Sequence, residues 1–248
     1  MNLLKDFIEK NKKTTLDNLP EIIEAQHGKK ILKMTSVLSD FMTQVHEEEK
    51  LIILIDIVGF SKSSTRDQVY KIYLFQSYLT KKILTNKIAT SGKIHISHFV
   101  PTGDGCYIVA DKCDENSALK FLISIVSGLR KIENKEKIDL SIRASALIGK
   151  VVPFFDMARH YNYIGEGMNE ASRILSGGQN ILEKEFLKEN PDQAGKEKLF
   201  SRNSLYLGDS LVSSLENFTE SYSQLYKFEN VPDKHGLTRN ITVLQGIL

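Results

Sequence analysis

The sequence predicts an α+β fold of the split βαβ kind, with the element order β-α-β-β-α-β. Three observations carry this. First, six of the seven residues in Leu51–Ile57 are aliphatic, which suits a strand buried on both faces. Second, Pro101-Thr102-Gly103-Asp104-Gly105 is a tight turn between two strand-like segments, Lys93–Val100 and Cys106–Ala110. Third, helical spacing fills the stretches between. Val69, Ile72, Tyr73, Gln76, Leu79 and Ile83 recur at that period in Thr65–Asn86, and Asn116–Ile132 is a second amphipathic run.

Taken in order, residues 1–46 read as an N-terminal helical segment. Leu3, Leu4, Phe7 and Ile8 form one apolar stripe, and Ile31, Met34, Val37, Leu38, Phe41, Met42 and Val45 form another. Residues 47–248 read as one domain. After the second amphipathic helix, Leu140–Ile148 is a strand that Gly149 ends, and Val151–Tyr163 is an irregular arm rich in aromatics. Gly165–Leu175 is a helix that stops at Gly177-Gly178. The charged stretch Ile181–Glu197 reads as an exposed insertion, Lys198–Ser201 as a short strand and Asn203–Leu215 as a helix. Two strands, Gln224–Glu229 and Asn240–Gln245, close the chain as a C-terminal extension.

Composition excludes several classes. With 41% hydrophobic and 26% charged residues, the 248-residue chain is ordinary for a soluble globular protein. A formal charge of +2 offers no basic surface, so no nucleic-acid partner is expected. No apolar run is long enough to span a membrane, and the N-terminal stretch lacks a signal-peptide core. Cys106 and Cys113 lack zinc-site spacing and read as reduced thiols of a cytoplasmic protein. His95 and His98, three apart on a strand, face opposite sides.

The chemistry centres on acids at strand ends. Asp56 closes the buried strand, where a carboxylate is costly unless something neutralises it, and a divalent cation does that well. Gly59 lets the backbone turn, and Phe60 to Ser63 read as a helix start with N–H groups for phosphate. Asp104 sits in the hairpin turn. Alone it reads as a turn residue; beside Asp56 on a neighbouring strand it makes a pair of hard oxygen ligands suited to Mg²⁺ or Mn²⁺. Asn169 and Arg173 lie one helical turn apart on a shared face. An amide and a guanidinium there suit a ribose and a phosphoryl group, or form a solvated face with Glu166 and Glu170.

Three blocks, IDIVGFSKSS, PTGDG and YNYIGEGMNEASRI, resemble in order and spacing the signature blocks of the class III nucleotidyl cyclases. The resemblance runs from about Leu51 to the end of the chain. It implies a ferredoxin-like cyclase sandwich in residues 47–248. It also implies metal ligands at Asp56, Asp104 and the carbonyl of Ile57, holding two divalent ions, Mn²⁺ or Mg²⁺, per site. Val58, Gly59, Phe60 and Ser61 match the turn that holds the triphosphate. Asn169 and Arg173 match the ribose-orienting asparagine and the arginine that stabilises the transition state, and Lys234 resembles a late phosphate-binding lysine. The family's sites lie between two head-to-tail subunits. Because both halves are present in one chain, a homodimer with two equivalent interface sites is implied.

Two positions depart from the family. Adenylate cyclases carry a purine-reading lysine four residues before the second aspartate, and an aspartate or threonine seven before the asparagine. Here those positions are Val100 and Asn162. Valine makes no polar contact, and an amide can pair with a pyrimidine edge or serve a purine. With these changes the chain is similar to the pyrimidine cyclases of bacterial Pycsar antiphage systems. Those make cyclic UMP or cyclic CMP, which a separate effector reads. The rivals are an adenylate or guanylate cyclase with an atypical base pocket, an inactive cyclase-like nucleotide-binding module, and a palm-type nucleotidyl transferase.

Overall fold

The computed structural model describes residues 46–85, 94–155, 161–232 and 236–247. The N-terminal helical segment and Lys234 therefore lie outside the described residues. The chain separates into a large unit, Glu49–Val151 with Gly165–Leu248, and a smaller one that holds Val152–Ile164.

In the large unit the elements follow the predicted order. They are β1 (Glu48–Ile57), α1 (Thr65–Thr85), β2 (Ile96–Pro101), β3 (Gly105–Asp111), α2 (Glu115–Glu136) and β4, which spans Ile142–Phe155. The strands lie in the order β2-β3-β1-β4, with β1 and β2 both antiparallel to β3. This is the split βαβ arrangement. Leu51, Ile53, Ile55 and Ile57 of β1 pack with Phe75 and Leu79 of α1 and with the buried stripe Ala118, Leu119, Phe121, Leu122, Ile125, Val126 and Leu129 of α2. The alternate residues Ile52 and Leu54 are buried too, on the opposite face of the sheet. The strand thus has no polar face, which is why its sequence reads as an unbroken apolar run. Asp114 caps α2, its side chain accepting from the Ser117 N–H, and Lys137 ends the helix in a left-handed conformation.

The second half departs from expectation. α3 spans Glu166–Glu189 and does not stop at Gly177-Gly178. A glycine costs about 1 kcal/mol inside a helix relative to alanine, but here tight packing outweighs propensity. A Cβ on Gly178 would sit 2.5 Å from the Tyr206 ring and 3.1 Å from Ile241. The buried stripe Ala171, Ile174, Leu175, Gly178 and Leu182 runs straight through. The expected insertion is therefore mostly helix. Lys198–Ser201 is not a strand: Glu197–Phe200 forms the short helix α4. The expected helix from Asn203 begins instead with a strand, β6 (Ser204–Leu207), followed by 3-10 turns at Asp209–Leu211 and Leu215–Ser221. Every residue of β6 is buried, because it runs parallel to β4 and antiparallel to β8, Thr238–Gln245. The edge strand β7, Gln224–Pro232, pairs with β8.

In the smaller unit, the arm expected to be irregular is a two-stranded ribbon. The end of β4 pairs antiparallel with β5, Tyr161–Ile164, in the register Val152↔Ile164 to Phe155↔Tyr161.

Candidate active site

Asp56 and Asp104 come together because their strands are neighbours. Asp56 pairs in register with Gly105, and the Ile57 N–H donates to the Asp104 carbonyl at 2.9 Å. Gly105 has to be glycine, since a Cβ there would stand 1.9 Å from the Ile55 carbonyl oxygen. Gly103, at φ 97°, turns the hairpin. Burial raises the Asp56 carboxyl to about 6; Arg143 pulls it down, and the neighbouring Asp104 adds to the rise. A carboxylate that is hard to ionise beside another carboxylate is a donor set a divalent cation suits. Among the described residues no group of three or more His, Cys, Asp or Glu could hold a metal ion. Two carboxylates and a main-chain carbonyl are enough where phosphate oxygens and water complete the shell.

Arg143 was not singled out in the sequence. It alternates on β4 with Ile142 and Ala144, which belong to the core between β1, α1 and α2. It therefore lies on the other face, with Ser145, whose hydroxyl donates to the Ala171 carbonyl of α3 at 2.7 Å. Arg143 Nη2 donates to Asp56 Oδ2, and both side chains are mostly buried. One signal was available: an arginine in a strand that reads SIRASALI needs a buried anion.

The turn after Asp56 differs from the expected helix start. Gly59 is left-handed at φ 69°, and Phe60–Lys62 is a single 3-10 turn. α1 starts separately, where the Ser64 hydroxyl accepts from the Asp67 N–H. The Val58 N–H already donates to the Ser141 carbonyl at 2.8 Å. That removes Val58 as an amide donor to phosphate.

Asn169 and Arg173 share the outward side of α3, away from its buried stripe, with Asn169 exposed and Arg173 half-buried. Glu170 lies 3.7 Å from Arg173 Nη1 and accepts from Arg239 Nε on β8. Gln179 is the α3 residue that reaches Arg143. At the rise of an α-helix, Asn169 stands about 15 Å up the axis from it. The first turns of α3 meet β3 instead, where Tyr107 Oη donates to the Met168 carbonyl at 3.3 Å. Val100 pairs with Tyr107 on β3 and is half-buried. Asn162, on the ribbon, uses its side-chain oxygen to accept from the Tyr163 N–H at 2.7 Å.

No family model and no curated protein matches the chain. Solved structures do. The catalytic core of a rhodopsin–guanylyl cyclase with converted specificity, in complex with ATPαS, aligns with a TM-score of 0.53 at 17% identity, over 83% of this chain and 100% of that one. The fold is that of a nucleotidyl cyclase domain. The guanylate cyclase domain of RhGC from Catenaria anguillulae, in complex with GTP, aligns at 0.53 and 16% identity, over 82% of this chain and 100% of that one. The guanylyl cyclase Cya2 aligns at 0.51 and 14% identity, over 82% of this chain and 95% of that one. Among the described residues no helix is long and apolar enough to cross a membrane.

Proposed function

We propose that residues 47–248 form the catalytic domain of a nucleotidyl cyclase. It converts a ribonucleoside triphosphate, UTP or CTP, to the 3′,5′-cyclic monophosphate and pyrophosphate. The observation that carries the reading is the adjacency of Asp56 and Asp104 on neighbouring strands of a cyclase fold. Solved domains of that fold are described in complex with GTP and with ATPαS. Asp56, Asp104 and the Ile57 carbonyl would hold Mn²⁺ or Mg²⁺, two ions per site. Bound metal would acidify the ribose 3′-hydroxyl and neutralise the phosphates. The N–H groups of Gly59, Phe60 and Ser61, with Lys234, bind the triphosphate. Asn169 orients the ribose, and Arg173 offsets the charge that develops at the α-phosphoryl oxygens.

One subunit contributes the aspartates and its partner contributes Asn169 and Arg173, so the active form is a head-to-tail homodimer. In support, Asn169 lies about 15 Å along α3 from Gln179, the residue that reaches Arg143 and through it Asp56. Val100 and Asn162 favour a pyrimidine, since neither reproduces the lysine-and-acid pair that reads adenine. The product then acts as a second messenger for a separate effector in antiphage defence, in the cytoplasm. The second reading is an adenylate or guanylate cyclase with an atypical base pocket, which the purine nucleotides bound in solved cyclase domains favour. Incubating the protein with each of the four ribonucleoside triphosphates and Mn²⁺, and identifying the product by mass, separates them. Cyclic UMP or cyclic CMP is expected. Cyclic AMP or cyclic GMP moves the assignment to the second reading, and no product from any substrate sinks the enzymatic one.

A further inference from the structure

Past its glycine pair, α3 turns Gln179 inward. The Gln179 side-chain oxygen accepts from Arg143 Nη1, and its amide nitrogen donates to Glu183 Oε1 at 2.6 Å. Ser201 Oγ donates to the same Glu183 oxygen at 3.0 Å. At the other end, Arg143 Nη2 donates to Asp56 Oδ2. A line of side-chain bonds therefore runs from Ser201 through Glu183, Gln179 and Arg143 to Asp56. The orientation of the Gln179 amide is set by its neighbours. An ionised Glu183 only accepts and Arg143 only donates, so the amide oxygen must face the arginine.

A guanidinium beside a carboxylate prefers to engage both oxygens with two parallel N–H groups. Arg143 engages only Oδ2 of Asp56. Its Nη1 is drawn the other way, to Gln179, and its Nε is buried without a partner. A buried unsatisfied N–H is costly, so the pose must be imposed by something stronger than the arginine's own preference. We propose that Gln179, backed by Glu183, is a positioning residue that keeps Arg143 on a single oxygen of Asp56 and so leaves the other oxygen to a divalent cation. This rests on the metal reading of Asp56 and Asp104 given above. It adds a role for the part of α3 beyond Gly178, which touches neither substrate nor metal.

The test is Mn²⁺ binding to the nucleotide-free protein by calorimetry, with unfolding temperature measured alongside. Gln179→Met keeps the length of the side chain and removes the acceptor; the exchange Gln179→Glu with Glu183→Gln restores one and keeps an amide donor facing it. Gln179→Met is expected to weaken Mn²⁺ binding about tenfold, the usual effect of removing an outer partner of a metal ligand, while the unfolding temperature stays close to wild type. The exchanged pair, Gln179→Glu with Glu183→Gln, is expected to bind like wild type. Glu183→Gln frees the Gln179 amide to rotate and gives a second, independent variant, expected to weaken binding in the same direction. Wild-type affinity in both Gln179→Met and Glu183→Gln overturns the positioning role alone. Loss of affinity in the exchanged pair equal to that in Gln179→Met also overturns it, because the acceptor would then be irrelevant. A wild-type protein that binds no Mn²⁺ overturns the metal reading, and the inference with it.

Discussion

Asp56 is held in a form it resists. Its carboxyl is raised from 3.8 to about 6, chiefly by burial, with Arg143 opposing and Asp104 reinforcing the shift. The folded protein therefore keeps this proton at a pH where the unfolded chain has lost it. Stability from this group is present at low pH and falls as pH rises from 3.8 to about 6. Asp56→Asn carries no such penalty. In metal-free protein the variant should gain stability relative to wild type across that window and hold the gain above it, as read by denaturant unfolding at a series of pH values. Added Mn²⁺ should then stabilise wild type and leave the variant unchanged. A gap between the two proteins that does not vary with pH would show that Asp56 has the same pKa folded and unfolded. The same substitution should abolish cyclisation, so stability and activity are expected to move in opposite directions at this one position.

At the scale of elements, α3 bears the most weight. Its first turns carry Asn169 and Arg173, its middle packs on β6 and β8 through Gly178, and its far half presents Gln179 and Glu183 to Arg143. Gly178→Ala tests whether packing, rather than helix propensity, governs this helix. Propensity alone favours alanine by about 1 kcal/mol. The Tyr206 ring 2.5 Å from the new Cβ opposes it, and overpacking a well-filled site costs about 1–3 kcal/mol. The expected outcome is a net loss of stability in urea unfolding, and a stabilised variant would mean that α3 sits further from the sheet than described. Arg173 and Arg239 both meet Glu170, so the first turns of α3 are tied to β8 by charge as well as by packing.

For the whole molecule, the question is whether one chain is a complete enzyme. Under the proposed function, a head-to-tail dimer would bring the aspartates of one subunit to the Asn169–Arg173 pair of the other twice over. Asp56→Ala and Arg173→Ala proteins should each be inactive alone. Mixed, they should recover about a quarter of wild-type activity, because half of a randomly reassorted population is mixed dimer and each mixed dimer keeps one intact site. No recovery, with subunit exchange verified by mass, would locate each site within a single chain.

Much of the first half was legible in the sequence. Leu51–Ile57 shows its burial on two faces as an apolar run, PTGDG shows its hairpin in its glycines, and α2 shows its stripe at helical spacing. Those signals are local: each element's own side chains set its period and its turns. Asp56 and Asp104 were legible as a candidate pair for the same reason, each lying at the end of a well-marked strand. What the sequence hid depends on partners distant along the chain. β6 is too short for its alternation to be told from a helix start, and it is a strand because β4 and β8 flank it. α3 continues through two glycines because Tyr206 and Ile241 come close enough to use their missing side chains. Arg143 meets Asp56 only because β1 and β4 are neighbours in the sheet. Periodicity reports which face of an element is buried, but only the folded chain decides what lies against that face.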